Sequence, residues 1–514
     1  LCHITIKEWI FATFFPANWL HFRKRCPPVR IFFSTFDYFH APAGFPESPL
    51  IFSQILEKVL VFFTILCYYS LMKRNITSQL LKWKNSKTRS PLIIKGARQV
   101  GKTYILKEFG QNHFPHCHYI NFEENESLGK IFKDDLQPHR ILKELSFYLN
   151  SPINSNDDLV IFDEIQHCPR ALTSLKYFCE EIPSLAICCA GSLLGLQFGS
   201  SSFPVGKVDF LNMYPMTFTE FLQGIEEEEA CNFIIHCNEN MSIPSIVHSR
   251  LWELLKIYFV TGGLPGVVDI FNRNKKDVYY ALTLVREKQD NIIIAYTADM
   301  AKHSGKLNSM HIDRLWRNIP AQLGRNQDGS ASKFKFKDVI PGIKGYSRLE
   351  SIIDWLHTAG LIIKTFIIEK AQLPFIAFKD EAFFKLYFFD IGILGAMSKL
   401  SPKTIIDYDY GTYKGYFAEN FAAQEFTAAE WNELYSWKEI TSEVEFLKEI
   451  DNGIIPIEIK SGWVTQAKSL KVFADKYAPP YRVIMSAGEM AIDPARKIYR
   501  LPLYLASSLE FFNK

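Results

Sequence analysis

Gly96-Ala97-Arg98-Gln99-Val100-Gly101-Lys102-Thr103 is the stretch on which the fold turns. It fits G-x-x-x-x-G-K-[ST] in full, with the apolar run Pro91–Lys95 before it and the helical pattern Tyr104–Phe109 after it. Glycines at the two ends let backbone N–H groups close around phosphate oxygens, and the helix N-terminus adds partial positive charge. In such a loop Lys102 reaches the β and γ phosphates of a nucleotide, and the Thr103 hydroxyl ligates Mg²⁺. The residues from Gly96 to Thr103 are therefore the expected ATP-binding loop.

Working outward, Leu159-Val160-Ile161-Phe162 is apolar throughout, as a strand buried on both faces should be. It ends in Asp163-Glu164. An acid pair there would lie beside the loop, with Asp163 in the Mg²⁺ shell and Glu164 polarising the attacking water. A third strand, Leu185–Ala190, ends in Gly191-Ser192, and Ser192 is the candidate γ-phosphate sensor. The alternation of strands and helices over 91–225 predicts an α/β fold with a parallel sheet.

Here the chain resembles a prokaryotic AAA-type P-loop ATPase family whose C-terminal region is known only as a domain of unknown function. GARQVGKT, LVIFDEIQHCP, AGSLLG and FPVGKVDFLNMYPMTFTEFL carry the resemblance. YFVTGGLPGVV (258–268) and KLYFFDIGILG (385–395) extend it across about residues 73–514. It implies an ATPase domain at 72–225, a helical lid at 226–310, a winged-helix-like region at 311–400 and a restriction-endonuclease-like α/β domain at 401–514. Family members usually carry Arg where this chain has Lys207; the charge is kept but the planar fork is lost. An arginine finger is left unassigned.

The 514 residues carry 58 basic and 55 acidic side chains, a net charge of +3 that gives no global nucleic-acid signature. Hydrophobic content of 48% excludes wholesale disorder. Ten cysteines without regular spacing fit free thiols in a reducing cytosol, and Cys188-Cys189 reads as buried strand. Residues 1–71 differ, with 12 of the 43 Phe and no Met. The resemblance does not cover them, so an in-frame extension before a start at Met72 is the preferred reading. A membrane-associating segment at 50–71 is the alternative, but the unbroken apolar run Val59–Leu71 is shorter than the roughly 20 residues a span needs. No stable membrane association is expected.

In the middle region, a helical piece at Lys337–Ile343 precedes an amphipathic helix at 347–360. A strand at Leu361–Ile368 and a second around Phe375–Phe378 follow, which is the order of a winged helix. Lys333, Lys335, Lys337, Lys344 and Arg348 would meet DNA phosphates; a solvated basic face is the competing reading. Further on, Glu443–Glu449 and Ile454–Lys460 flank an Asp451-Asn452-Gly453 turn. Alternation puts Ile455, Ile457 and Ile459 on one face of the second strand, with Glu458 and Lys460 on the other. With Glu445 opposite, this is a possible divalent-metal site. The pattern resembles an endonuclease-like acid–turn–E-x-K core, with Glu419 as the upstream acid. Such cores usually have Asp where this chain has Glu445, and charged residues on an exposed hairpin face remain the bland explanation.

HFPHCH at 113–118 is not expected to bind zinc, since Cys117 and His118 would face opposite sides of a strand. Asp390 is expected to be structural, and Phe383–Phe389 to be core. Three functions stay open. One is an ATP- and Mg²⁺-dependent enzyme or switch acting on DNA. The second is an ATP-gated protein-interaction switch, possible as a homo-oligomer, with an inactive C-terminal domain. The third, a small-molecule P-loop kinase, fares worst because Glu164 directly after Asp163 fits water activation.

Overall fold

The structure, a computed structural model, describes residues 73–513 apart from 192–202, 305, 326–332, 344, 412, 432, 441, 452 and 464–467. The readings of residues 1–71, of Met72, of Ser192 and of Lys344 lie outside the described residues.

Strands β1 (Leu92–Lys95), β2 (Cys117–Asn121), β3 (Leu159–Asp163), β4 (Ala186–Ala190) and β5 (Asp209–Asn212) form one sheet in the order β2-β3-β4-β1-β5. Every pairing in it is parallel. Alternation fills both faces. Ile93, Val160, Phe162, Ile187 and Cys189 enter one apolar cluster. Leu92, Ile94, Leu159, Ile161 and Cys188 enter the other, which continues to Leu509. Helices α1 (Ile76–Asn85), α2 (Lys102–His113), α3 (Pro138–Tyr148) and α4 (Pro169–Glu181) belong to this part. In α1, Ile76, Leu80 and Trp83 make the buried stripe at helical spacing.

The following region is helical: α5 (Phe218–Gly224), α6 (Glu228–His236), α7 (Ser245–Thr261), α8 (Pro265–Asn274), α9 (Val278–Ser304) and α10 (Lys306–Arg325). The division expected at residue 310 falls inside α10. Thr217 and Glu220 close α5 with reciprocal side-chain caps.

The middle region departs from the expected winged helix. Residues 337–343 are turns, with Gly342 at φ +78° and a single bridge between Ile340 and Ile343, instead of a helix. Helix α11 is Glu350–Thr358 and strand β6 is Ile362–Ile368. Phe375–Phe378 is a 3₁₀ turn, and the strand lies further on as β7 (Phe384–Phe388), in the aromatic stretch expected to be plain core. The β6–β7 hairpin is no free wing. β6 pairs in parallel with β8 (Leu434–Glu439), from Thr365↔Leu434 to Ile368↔Trp437. A boundary at residue 400 would cut this sheet in two.

Helices α12 (Ile391–Met397), α13 (Pro402–Ile406) and α14 (Tyr413–Ala428) connect the two halves of that sheet. The remaining elements are β9 (Ser442–Ile450), β10 (Gly453–Ile459), α15 (Lys468–Tyr477), β11 (Arg482–Ser486), β12 (Ala491–Asp493) and β13 (Ile498–Pro502). The eight strands run β12-β13-β11-β10-β9-β8-β6-β7. Among the described residues no helix is long and apolar enough to cross a membrane.

Candidate functional site

The phosphate loop joins the C-terminal end of β1 to the N-terminus of α2. Gly96 has φ +151°, and a Cβ there would stand 2.1 Å from the Met213 carbonyl, so only glycine lets the chain pass this close to the end of β5. Gly101, at φ +99°, opens α2. Lys102 Nζ donates to the Gly96 and Ala97 carbonyls at 2.9 and 2.8 Å. Burial pulls its ammonium down to about 8, against the pull of Glu164 and Asp163. A cavity of about 400 Å³ lies over this loop, lined among others by Lys102, Thr103 and Glu164.

The acid side is assembled by β2 and β3, whose register sets Asn121 beside Asp163. Asp163 Oδ2 accepts from Thr103 Oγ1 at 2.8 Å and from the Tyr119 hydroxyl at 2.8 Å. A hydroxyl and a carboxylate meeting at the head of α2 suit a hard, oxygen-seeking cation such as Mg²⁺. Glu164 sits in the left-handed region at φ +48°, and its amide donates to Asp163 Oδ1 at 3.0 Å. Its carboxylate accepts from the Gln166 amide and turns into the cavity. Ligand atoms of Glu123, Glu164 and His167 all lie within 4.8 Å of one another.

Several residues at this site carry no sequence signature. Arg74 donates to Glu220 Oε1 at 3.0 Å, to the Val100 carbonyl at 2.8 Å and to the Tyr214 carbonyl at 2.7 Å, tying the loop to α5. Pro265, Gly266 and Asp269 of α8 form another wall of the cavity. Helix α9 reaches the loop as well. Its Tyr296 hydroxyl donates to the Arg98 carbonyl at 2.7 Å, and its Asp299 pairs with Arg98 at 3.0 Å. Lys207 pairs with Glu180 of α4 at 3.2 Å and is not part of the cavity wall.

At the C-terminal site, β9 and β10 form the expected hairpin, with Ile457 opposite Phe446. Its acids are not surface charge: Glu419, Glu445 and Glu458 are 1, 5 and 3% exposed. Glu445 accepts from the Ile459 amide at 3.2 Å, and Lys460 pairs with Glu458 at 2.6 Å. Burial, then the charges of Glu458 and Glu419, hold the Glu445 carboxyl well above the usual range. Glu458 Oε2 is buried without a hydrogen-bond partner. Glu419 is gripped from β7, where Tyr387 donates to it at 2.7 Å and Lys385 approaches to 3.9 Å. Lys385 also pairs with Glu443 at 2.6 Å. The structure therefore brings Glu445, Glu458 and Lys460 together, with Glu419 close enough for its charge to act on Glu445 while Tyr387 and Lys385 hold it from the other side. An inward lysine within the apolar run Phe383–Phe389 was the available signal for Lys385.

Comparison with known proteins finds a family match over the stretch that holds the first of these sites. Residues 88–222 match the family described as AAA domain, and this part of the chain is an AAA-type P-loop ATPase domain. Residues 253–404 and 414–505 match two further families, both described as domains of unknown function (DUF8612 and DUF4143). The first of these ends between β7 and α14, so the eight-stranded sheet draws on both.

Among solved structures, the Walker-type ATPase paby2304 of Pyrococcus abyssi is 15% identical, with TM-score 0.42, over 63% of this chain and 95% of that one. The Aeropyrum pernix ORC1 protein in complex with DNA is 12% identical, with TM-score 0.26, over 65% and 91%. The Thermotoga maritima RuvB Holliday junction branch migration motor is 14% identical, with TM-score 0.26, over 62% and 92%. Those TM-scores are all below 0.5 and carry no functional weight for this chain. No curated protein matches it.

Proposed function

We propose that the chain is an ATP-hydrolysing switch whose C-terminal sheet acts on nucleic-acid phosphodiesters. In the nucleotide site, Lys102 exchanges the Gly96 and Ala97 carbonyls for the β and γ phosphates, a charge-assisted contact that replaces two neutral ones. Glu164 orients the attacking water and takes its proton. Thr103 and Asp163 would hold Mg²⁺, which neutralises phosphate charge when bound.

The observation that carries the C-terminal half of this reading is the Glu458 carboxylate. One of its oxygens pairs with Lys460, while the other is buried beside Glu445 without a partner. An orphaned buried carboxylate oxygen is costly, and a bound divalent cation would satisfy it. Lys460 would then stabilise charge on the phosphate under attack. Lys335, Lys337 and Arg348 are exposed along the segment before α11 and supply contacts for a phosphate backbone.

A second reading is favoured by Lys385. This fully buried ammonium already offsets charge at Glu443 and Glu419, as a retired metal site would require. In that case the C-terminal sheet binds a protein under ATP control and cleaves nothing. The two separate on supercoiled plasmid with Mg²⁺ or Mn²⁺, with and without ATP. The nuclease reading expects metal-dependent nicking that disappears in Glu458→Ala and Lys460→Ala. Intact ATP hydrolysis with no nicking under any condition selects the second.

A further inference from the structure

We propose that Arg98 is a catalytic residue of ATP hydrolysis, supplying within the same chain the guanidinium that stabilises the γ-phosphate, and that Asp299 of α9 is its resting partner. The inference rests on the ATPase reading of the loop.

Among the described residues, three cations line the nucleotide cavity: Arg74, Arg98 and Lys102. Lys102 is the loop lysine. Arg74 is spent on structure, because Nε, Nη1 and Nη2 each already donate to a protein oxygen and its side chain is 5% exposed. Arg98 is different. It projects from the loop that cradles the phosphates, its side chain is 29% exposed, and a carboxylate of another helix holds it. Lys207 pairs with Glu180 away from the cavity.

In the reaction, the water oxygen bonds to the γ-phosphorus as the bond from that phosphorus to the β–γ bridging oxygen breaks. The bond pair leaves on ADP, and Glu164 takes the proton and passes it to solvent. Negative charge spreads over the γ-phosphoryl oxygens at the transition state, where a planar guanidinium is most effective. Arg98 reaches them by exchanging Asp299 for phosphate, one anionic partner for another.

That exchange is felt along α9. Tyr296, Asp299 and Lys302 follow at intervals of three on this helix, and they touch the Arg98 carbonyl, the Arg98 side chain and Glu123. The helix thus contacts the phosphate side and the acid side of the site at once. Loss of the Asp299 contact on ATP binding, and its return after hydrolysis, reports the γ-phosphate to α9.

The test uses the full chain and its Arg98→Ala, Arg98→Lys, Asp299→Asn and Lys102→Ala variants. Turnover, ADP binding and retention of ADP with aluminium fluoride are measured for each. Arg98→Ala is expected to lose about 10²-fold or more in kcat and to stop retaining ADP–aluminium fluoride. Its ADP affinity should stay within about threefold, which also shows that it folds. Arg98→Lys should recover part of the rate, and Asp299→Asn should tighten ATP relative to ADP. An Arg98→Ala protein with a kcat within about threefold of the unmodified chain overturns the proposal. So does an equal loss of ADP and of ADP–aluminium fluoride. If Lys102→Ala instead hydrolyses ATP at the normal rate, the reading of the loop itself has failed.

Discussion

Asp390 accepts a hydrogen bond from the Gly263 amide at 2.6 Å while its other oxygen caps α12 by accepting from Ile393 at 2.9 Å. One carboxylate thus joins the end of β7 to the loop between α7 and α8. Burial pushes its pKa up to about 6, and the amides of Gly263, Ile393 and Gly392 oppose that push. The usual value is 3.8. A folded pKa above the unfolded one means that ionisation opposes folding, so this group's contribution falls as pH rises from about 4 to about 6. The difference between those two values corresponds to roughly 3 kcal/mol. Urea unfolding at pH 4 and pH 7 should show this slope in the unmodified chain and a flatter one in Asp390→Asn. Equal slopes in both proteins would sink the assignment.

Lys102 gives a pH dependence of the same direction, in nucleotide binding instead of stability. With its ammonium at about 8 before nucleotide binds, the loop is charged at neutral pH and progressively uncharged above pH 8. Phosphate binds the charged form, so ATP binding takes up a proton there. Affinity should weaken by about tenfold per pH unit above 8. Titration calorimetry at pH 7, 8 and 9 checks this, and a flat profile would count against Lys102 as the phosphate contact.

Gly263 lies against the backbone of Met216, whose amide donates to the Gly263 carbonyl at 2.6 Å. A Cβ at Gly263 would stand 2.1 Å from the Met216 carbonyl, a contact only backbone movement can relieve. Gly263→Ala is expected to cost about 2–3 kcal/mol. It should also weaken ATP binding, because Met213 of the same segment lines the cavity. An unchanged Tm would show that this contact is not tight in solution.

Tyr387→Phe removes the hydroxyl that holds Glu419 and leaves the ring in place. The expected stability loss is about 1 kcal/mol. If the C-terminal acids bind metal, Mn²⁺ affinity should fall by about 10-fold or more, as for other residues that orient metal ligands. Calorimetry on the full chain, with Glu458→Gln as the non-binding reference, measures it. A Phe variant that binds Mn²⁺ normally would remove Glu419 from that site.

The nucleotide loop was legible because its chemistry is local. Eight consecutive residues, a strand before and a helix after fix it, and Asp163-Glu164 follows from one further apolar run. The β9–β10 hairpin was legible for the same reason, through its Asp-Asn-Gly turn. Arg74 and Asp299 were not, because they reach the loop from residues far away in sequence and neither belongs to a pattern. The turns at 337–343 read as helix because their apolar spacing mimics one, while Asp338 and Gly342, both at positive φ, and Pro341 between them prevent it. Phe375–Phe378 read as strand because it is apolar throughout, although Pro374 stands just before it. The β6–β8 pairing has no local signal at all.

That pairing sets an order of events during synthesis. β6 is complete at Ile368, but its partner β8 begins at Leu434, 434 − 368 = 66 residues later. At roughly 5–20 residues per second, the ribosome needs about 3–13 s to deliver it. For that time β7 can cover only one edge of β6. The other edge, in the strand Ile362–Ile368 whose residues are all buried in the finished fold, stands open to any chain that meets it. The nascent protein therefore passes through a timed period of vulnerability, after its ATPase domain has been made and before its C-terminal sheet can close.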